Sequence, residues 1–180
     1  MKGKAQMSNL AQFIRDVPNF PKPGIIFKDI TPLLQDAGAF RQAVTQLAQP
    51  FRGAGVDLVV AAEARGFILG GAVARELGVG FVPVRKPGKL PAATTGETYQ
   101  LEYGTDTLEI HTDAIRPGQR VLLLDDLLAT GGTMAAMANL VGKLGATVVG
   151  IAFLIELNFL HGREKLKGAN VVTLIQYEAE

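Results

Sequence analysis

Two adjacent carboxylates and a loop of small residues stand side by side in the middle of the chain. Asp125 and Asp126 directly follow an apolar run, and the sequence Ala-Thr-Gly-Gly-Thr occupies residues 129–133. Neighbouring carboxylates at the end of a buried strand are costly unless something solvates or binds them. A glycine loop that opens a helix presents unpaired N–H groups and the positive end of the helix dipole, which together suit a phosphate.

The acidic pair lies just before this glycine loop, within reach of the hydroxyl groups of a sugar whose phosphate sits in the loop. The loop is neither the G-x-G-x-x-G loop of dinucleotide-binding folds nor a P-loop, because it lacks the G-K-[ST] ending. An ordinary strand-to-helix turn with a solvated acidic pair explains the carboxylates alone or the glycine loop alone, but it explains the two together poorly. The predicted ribose 5-phosphate site comprises Asp125, Asp126, Ala129, Thr130, Gly131, Gly132 and Thr133.

Two further stretches carry cations suited to phosphate oxygens. Arg65, in the sequence Glu-Ala-Arg-Gly after an apolar run, offers planar, bidentate donors. A surface arginine paired with Glu63 is an equally good interpretation of the same residues. Arg85, Lys86 and Lys89 cluster in the sequence V-R-K-P-G-K-L-P, which suggests a mobile anion-binding loop, although a solvated basic loop is the commoner outcome.

For two other candidates, the residue pattern alone favours a structural interpretation. Glu102, next to Tyr103, could exchange a proton with a nitrogen of a base, but the alternation around it predicts an exposed glutamate on a hairpin. Phe27 could stack on a flat base, but an apolar residue in a short run more often belongs to the core.

These residues need a scaffold, and the hydrophobic pattern predicts an α/β protein. Predicted strands and helices alternate through the middle of the chain, which favours a parallel sheet with helices on both faces. The loops that follow parallel strands meet at one edge of such a sheet. The predicted strands are residues 57–62, 79–85, 121–124, 147–157 and 171–176, and the predicted helices among them are residues 39–51, 67–77 and 134–144.

The remaining elements precede or interrupt this alternation. Residues 10–17 have the spacing of a short amphipathic helix. Thr31 before Pro32 is typical of a helix start with the threonine as cap. A Pro- and Gly-rich loop and the two strands of a hairpin are predicted at residues 86–96, 97–103 and 105–111.

Composition excludes several classes of function. The 180 residues predict a single domain, and a net charge of +1 gives no global field that favours nucleic acid or a membrane surface. There is no Cys, the one Ser is Ser8, and the two His residues lie far apart, which excludes thiolate chemistry, a serine-hydrolase elbow and a histidine metal cluster. With no membrane-length apolar run and no signal-peptide pattern, a cytoplasmic location is expected, with either Met1 or Met7 as the native start.

Four sequences resemble segments of one enzyme family. The sequence D-D-L-L-A-T-G-G-T resembles the phosphoribosyl pyrophosphate (PRPP) signature of the type I phosphoribosyltransferases. The sequences R-K-P-G-K-L-P, L-E-Y-G and F-P-K-P-G-I-I-F-K-D-I-T are similar to segments of its adenine-specific members. The resemblance implies a Rossmann-like parallel sheet flanked by helices, with a small hood at about residues 1–34 and a flexible catalytic loop at about residues 86–103.

The resemblance also implies a reaction, a cofactor and residue roles. The 5-phosphoribosyl group of PRPP would pass to adenine, giving AMP and pyrophosphate, with Mg²⁺ held mainly through PRPP and water, in a homodimer. The backbone of Ile26 and Lys28 would bind adenine, and the Phe27 ring would stack on it. Lys28 occupies a position at which several family members have Arg. Pyrophosphate would be bound by Glu63, Ala64, Arg65 and Lys89. The implied catalytic residues are Glu102, Arg65, Arg85, Lys89 and Tyr103, of which Arg85 could reach the neighbouring subunit's site.

Two other functions are compatible with part of this pattern. A transferase for hypoxanthine, guanine or xanthine would carry a similar PRPP signature and differ in the hood. A non-catalytic PRPP-sensing regulator usually adds a DNA-binding domain or a basic face. This nearly neutral chain has no helix-turn-helix segment before residue 20, which disfavours the regulator.

Overall fold

A five-stranded sheet forms the centre of the molecule, and every strand in it runs parallel to its neighbours. The computed structural model describes residues 9–100 and 104–179. The strands are β1 (Arg15–Pro18), β2 (Ile26–Asp29), β3 (Leu58–Ala62), β4 (Gly80–Val84), β5 (Thr94–Gln100), β6 (Thr105–His111), β7 (Arg120–Leu128), β8 (Thr147–Leu157) and β9 (Val171–Tyr177). The sheet order is β4-β3-β7-β8-β9, while β1 with β2 and β5 with β6 form two antiparallel hairpins.

Helices cover both faces of this sheet, as predicted. They are α1 (Thr31–Gln35), α2 (Ala37–Ala48), α3 (Arg65–Leu77) and α4 (Gly132–Lys143). Side chains alternate along a strand, so Leu122 and Leu124 of β7 pack with α1, α2 and α3, while Val121 and Leu123 pack with α4 and the β5–β6 hairpin. All four are fully buried, which is why β7 reads as a continuous apolar run.

The strand order reverses between β3 and β7. From β3 the chain crosses to β4 on one side and then continues to β7, β8 and β9 on the other. Ligands of open parallel sheets bind beyond the carboxyl ends of the strands at such a reversal. β3 ends at Ala62 and pairs with β7 only as far as Leu124, whereas β7 pairs with β8 as far as Leu128. The space beside β7 beyond the end of β3 is the crevice between these two strands.

The predicted helix at residues 10–17 is wrong. A single 3₁₀ turn spans Leu10–Phe13, and the side chain of Asn9 caps it by accepting a hydrogen bond from the Ala11 N–H at 3.1 Å. The chain then enters β1, which pairs along its whole length with β2. Cross-strand pairing therefore overrides the helical spacing, and the β1–β2 hairpin occupies the segment predicted as the hood.

The predicted cap of α1 is also wrong. Thr31 is the first residue of α1, and the N-cap position is taken by Ile30, which makes no side-chain capping hydrogen bond. Asp29 instead accepts hydrogen bonds from the N–H of Thr31 at 2.9 Å and from its hydroxyl at 2.8 Å. The end of β2 is thus fixed directly to the start of α1.

Several element boundaries differ from the predicted ones because hydrogen bonding continues beyond the apolar residues. β7 runs through the acidic pair to Leu128, and β5 begins at Thr94, which leaves a shorter basic loop at residues 86–93. Helices α3 and α4 begin at Arg65 and Gly132 instead of at residues 67 and 134. Helix α2 is the exception, because it ends at residue 48, before its predicted end, and a 3₁₀ turn follows it.

Candidate functional site

The crevice between β3 and β7 holds a guanidinium beside a carboxylate. Arg65 Nε lies 2.8 Å from Asp126 Oδ2, and Asp126 is buried whereas the Arg65 side chain stays about one-third exposed. Arg65 is the first residue of α3, two residues before the predicted start of that helix. Ala64 precedes the helix, and the peptide bond between Glu63 and Ala64 is cis. The fold thus joins the cationic and acidic stretches that the sequence keeps apart.

Asp125 lies against the start of α3. The Asp126 N–H donates a hydrogen bond to Asp125 Oδ1 at 2.9 Å. A β-carbon added at Gly66 would lie 2.7 Å from the same oxygen. Any side chain at residue 66 would therefore displace this carboxylate, which explains the need for glycine directly after Arg65.

Burial raises the pKa of both members of the acidic pair. The pKa of Asp125 lies well above its ordinary value, first because burial desolvates the carboxylate and second because Asp126 is negatively charged. Desolvation also raises the pKa of Asp126, although the charge of Arg65 acts in the opposite direction. Such a pair gains from any ligand that brings hydrogen-bond donors or positive charge, and perturbed carboxyl groups in a crevice are typical of functional sites.

The glycine loop lines a small cavity at the amino end of α4. Gly131 has a left-handed φ of 76°, which glycine adopts freely, and it directly precedes α4. The first N–H groups of α4 have no partner within the helix and can therefore bind an anion. The cavity measures about 80 Å³ and is lined by the glycine loop, Asp125 and Phe153 among others. By the same measure one water molecule needs about 10–15 Å³, so the cavity has room for a group the size of a phosphate.

A turn behind the glycine loop supports it, and sequence reasoning did not assign this role. This supporting turn, residues 158–166, places Gly162 against the loop backbone. A β-carbon added at Gly131 would collide with the Gly162 carbonyl group, and one added at Gly162 would collide with the Ala129 carbonyl group. Arg163 fixes the turn by donating to the two carboxylate oxygens of Glu156 at 2.6 and 2.8 Å. The available signal was Glu156 itself, a lone acid in the otherwise apolar β8.

Glu63 pairs with Arg85 and not with Arg65. Arg85 donates from Nε and Nη2 to Glu63 Oε2 at 2.9 and 2.7 Å, and the Lys86 N–H donates to Glu63 Oε1 at 2.8 Å. The pKa of Glu63 is lowered, first by the Lys86 backbone hydrogen bond and then by Arg85. Arg85 Nη1 also donates to the Lys89 carbonyl at 3.1 Å, so Glu63 holds the start of the basic loop beside the crevice.

Phe27 lies beside Arg65. The guanidinium carbon of Arg65 is 4.8 Å from the centre of the Phe27 ring, within the range of a cation–π contact. Phe20 meets Phe27 edge to face, with ring centres 5.1 Å apart. The two rings, with Val17 and Asp29, line an open cavity of about 190 Å³. An apolar surface suited to a flat base therefore adjoins the cationic crevice.

The Lys28 side chain is bound away from this surface. Its Nζ lies 2.9 Å from Asp16 Oδ1 and 4.2 Å from the centre of the Tyr177 ring, and the residue is buried. Ile26, at the other end of the predicted base-binding stretch, is half-buried and pairs with Pro18. Lys28 thus connects the β1–β2 hairpin to β9, and its side chain is not directed at a base; the predicted contact through its backbone stays a prediction.

Two predicted site residues, Glu102 and Tyr103, lie outside the described residues. Within the part of the chain that the structure describes, no group of three or more His, Cys, Asp or Glu side chains could hold a metal ion. Over the same described ranges, no helix is long and apolar enough to cross a membrane.

Comparison with known proteins gives a consistent result. A family model described as "Phosphoribosyl transferase domain" matches residues 33–178. Adenine phosphoribosyltransferase of Desulfitobacterium hafniense is 60% identical over 92% of this chain and 96% of its own. The crystal structure of adenine phosphoribosyltransferase from Thermoanaerobacter pseudethanolicus is 56% identical in sequence to this chain and has a TM-score of 0.92. The match covers 96% of this chain and 100% of the other.

A more distant solved structure adds ligands to the comparison. Adenine phosphoribosyltransferase from Saccharomyces cerevisiae, complexed with an imino-altritol bisphosphate and adenine, is 43% identical with a TM-score of 0.86. The match covers 92% of this chain and 96% of the yeast chain.

Proposed function

The chain belongs to the phosphoribosyltransferases, among the adenine phosphoribosyltransferases, and on that premise we propose that the crevice between β3 and β7 transfers the 5-phosphoribosyl group of PRPP to adenine. The products are AMP and pyrophosphate, and the reaction salvages a purine. The adenine bound in the related yeast structure supports this choice of base.

One observation carries the proposal. Arg65 contacts both Asp126, at 2.8 Å, and the ring of Phe27, at 4.8 Å. The groups proposed for sugar, pyrophosphate and base therefore converge on a single side chain at the reversal of strand order. A PRPP molecule with its 5-phosphate in the glycine loop and its hydroxyls on the acidic pair would direct its pyrophosphate to Arg65.

In the reaction, the bond from ribose C1 to pyrophosphate breaks while C1 bonds to a nitrogen of adenine. Positive charge develops on the ribose, and the acidic pair stabilises it. Arg65, Arg85 and Lys89 neutralise the departing pyrophosphate, since preorganised charges aimed at developing charge contribute most to catalysis. For this, the Arg85 guanidinium exchanges Glu63 for pyrophosphate, in its own site or in that of a neighbouring subunit.

Glu102 is proposed as the group that exchanges a proton with adenine, and Tyr103 as a cover for pyrophosphate. Both come within three residues of the end of β5 in the chain, and β5 contacts α4, the helix that the glycine loop opens. A carboxylate can serve as general base when its pKa suits the proton it accepts.

Magnesium is proposed as the cofactor, held mainly through PRPP oxygens and water. Mg²⁺ usually keeps several waters and binds through substrate phosphates, so the ion would need few protein ligands here, and the described residues offer no cluster of three. When bound, the ion would neutralise charge on pyrophosphate. We also propose a homodimer, as expected from the resemblance, and a cytoplasmic location, as expected from the sequence pattern.

The test supplies PRPP and Mg²⁺ with adenine, hypoxanthine, guanine or xanthine in turn and measures nucleotide formation. Rapid formation of AMP from adenine, with the other bases at least about 100-fold slower, is expected because a site built for one set of hydrogen bonds leaves polar groups unpaired with another. Turnover of hypoxanthine or guanine without adenine would contradict the proposal. Omitting Mg²⁺ should abolish turnover, and a sizing column should give twice the mass of one chain.

A further inference from the structure

The β5–β6 hairpin is attached to α4 through two groups of contacts. Glu97 of β5 pairs with Lys143 near the end of α4 at 2.6 Å and accepts a hydrogen bond from Asn139 of α4 at 2.8 Å, and Lys143 also donates to the Gly96 carbonyl at 2.8 Å. Farther along β5, the Tyr99 hydroxyl lies 3.2 Å from the Thr133 hydroxyl. Only the second contact involves the glycine loop, because Thr133 is the last residue of that loop and lines its cavity.

Tyr99 is held in a defined position. Its ring is half-buried against the cluster that includes Val121, Leu123 and Met134. Burial raises the pKa of its phenol, although the hydrogen bond to Thr133 acts in the opposite direction. The hydroxyl therefore keeps its proton near neutral pH and can donate it.

The chemistry of two hydroxyl groups makes this contact sensitive to a phosphate. A threonine hydroxyl has one proton to donate and two lone pairs that accept. When Thr133 donates its proton to a phosphate oxygen, its lone pairs accept from Tyr99, and hydrogen bonds in such a chain strengthen one another. The Tyr99 proton would then orient the Thr133 hydroxyl toward the bound phosphate.

We propose that Tyr99 is a positioning residue for the 5-phosphate of PRPP. Its hydroxyl directs Thr133 at the phosphate and links the filled glycine loop to β5, the strand that leads to Glu102. This role rests on the proposed function and deepens it, because it assigns recognition of the 5-phosphate partly to a residue outside the PRPP signature.

The experiment compares the wild-type protein with Tyr99→Phe, which removes one oxygen and keeps the ring. The dissociation constant of AMP and the KM for PRPP should rise about three- to tenfold, the effect of one hydrogen bond. The KM for adenine, measured at saturating PRPP, should stay within about twofold because adenine carries no phosphate. Thermal unfolding should confirm that the variant is folded.

Two variants separate this role from simple attachment of the hairpin. Lys143→Met removes the ion pair with Glu97 and the hydrogen bond to the Gly96 carbonyl, while Asn139 still donates to Glu97, and it should leave AMP affinity within about twofold of wild type. Thr133→Val removes the partner hydroxyl, and in that background Tyr99→Phe should have no further effect on AMP binding.

Unchanged AMP affinity in Tyr99→Phe would overturn the inference. So would an equal rise in both KM values, or an undiminished Tyr99→Phe effect in the Thr133→Val background. These outcomes are distinct from failure of the proposed function, in which the wild-type protein itself would make no AMP from adenine and PRPP.

Discussion

The two halves of the site are built differently. The half that would hold ribose 5-phosphate comes from one continuous stretch, residues 125–133, in which the end of β7 leads into α4. The half that would hold pyrophosphate and adenine combines Arg65 of α3, Arg85 after β4 and Phe27 of β2. A local motif is therefore enough to recognise PRPP, whereas the choice of base depends on segments that only the fold brings together.

The support behind each half differs as well. The supporting turn and the buried Glu156 fix the glycine loop from behind. Phe27 instead lies on a two-stranded hairpin that Lys28 attaches to β9. Substitutions behind the first half should act on PRPP binding, and substitutions behind the second should act on adenine.

The largest effect is expected at Arg65, where the two halves meet. Arg65→Ala should lower kcat/KM about 100- to 1,000-fold, because it removes a preorganised cation from the departing pyrophosphate. Initial rates of AMP formation measure this effect. Arg52→Ala is the matched control, since Arg52 pairs with Glu76 near the other end of α3. A loss of less than about fivefold in Arg65→Ala would remove Arg65 from the pyrophosphate site.

A smaller loss of activity, combined with a gain in stability, is expected for Asp125→Asn. The raised pKa means that the folded state favours the protonated form of Asp125. The contribution of this group to the free energy of unfolding is therefore full below the ordinary aspartate pKa of about 3.9, and it is lost as the pH rises through the folded-state pKa. Asparagine avoids the buried charge, so the variant should melt about 2 to 4 °C higher at neutral pH.

The stability gain of Asp125→Asn should disappear in acid, where both proteins carry a neutral group at this position. The KM for PRPP should rise about tenfold or more at the same time, because a neutral amide binds ribose hydroxyls less strongly than a carboxylate. Thermal melts between acid and neutral pH, with kinetics at neutral pH, measure both effects. A lower melting temperature at neutral pH would show that the acidic pair stabilises the free protein.

Behind the glycine loop, Glu156→Gln should raise the KM for PRPP about tenfold and leave the KM for adenine nearly unchanged, since misplaced binding groups cost this much or more. The change removes the charge that holds Arg163 and the supporting turn. Arg163→Lys, which keeps the charge but not the bidentate geometry, should give an intermediate KM. Equal increases in both KM values would indicate general destabilisation in place of support for the loop.

The sequence predicts the continuous half of the site better than the assembled half. The acidic pair and glycine loop lie next to one another in the chain, so their chemistry follows from their spacing. For Arg65, the residues alone favour a surface pair with Glu63 as much as an anion-binding site. In the structure, Glu63 pairs with Arg85 instead. The sequence did not reveal the contact between the hydroxyl groups of Tyr99 and Thr133, because the two residues lie on different elements.

The fold shows the same division. The parallel sheet and the helices on both faces follow from apolar runs that local patterns reveal. The helix predicted at residues 10–17 fails because β1 gains more from pairing with β2 than from helical hydrogen bonds, and no local pattern contains that partner. The side chain of Lys28 could not be placed from sequence either, because Tyr177 lies at the opposite end of the chain.

The smallest effect is expected at Lys28, which tests the assembled half alone. Lys28→Met removes the ion pair with Asp16 and the contact with Tyr177, which should loosen the β1–β2 hairpin and raise the KM for adenine about threefold. Lys28→Arg is the matched control, since it keeps a cation for both partners. The KM for PRPP should stay constant in both variants. If it rises together with that for adenine in Lys28→Met, the hairpin also supports the glycine loop and the two halves are not independent.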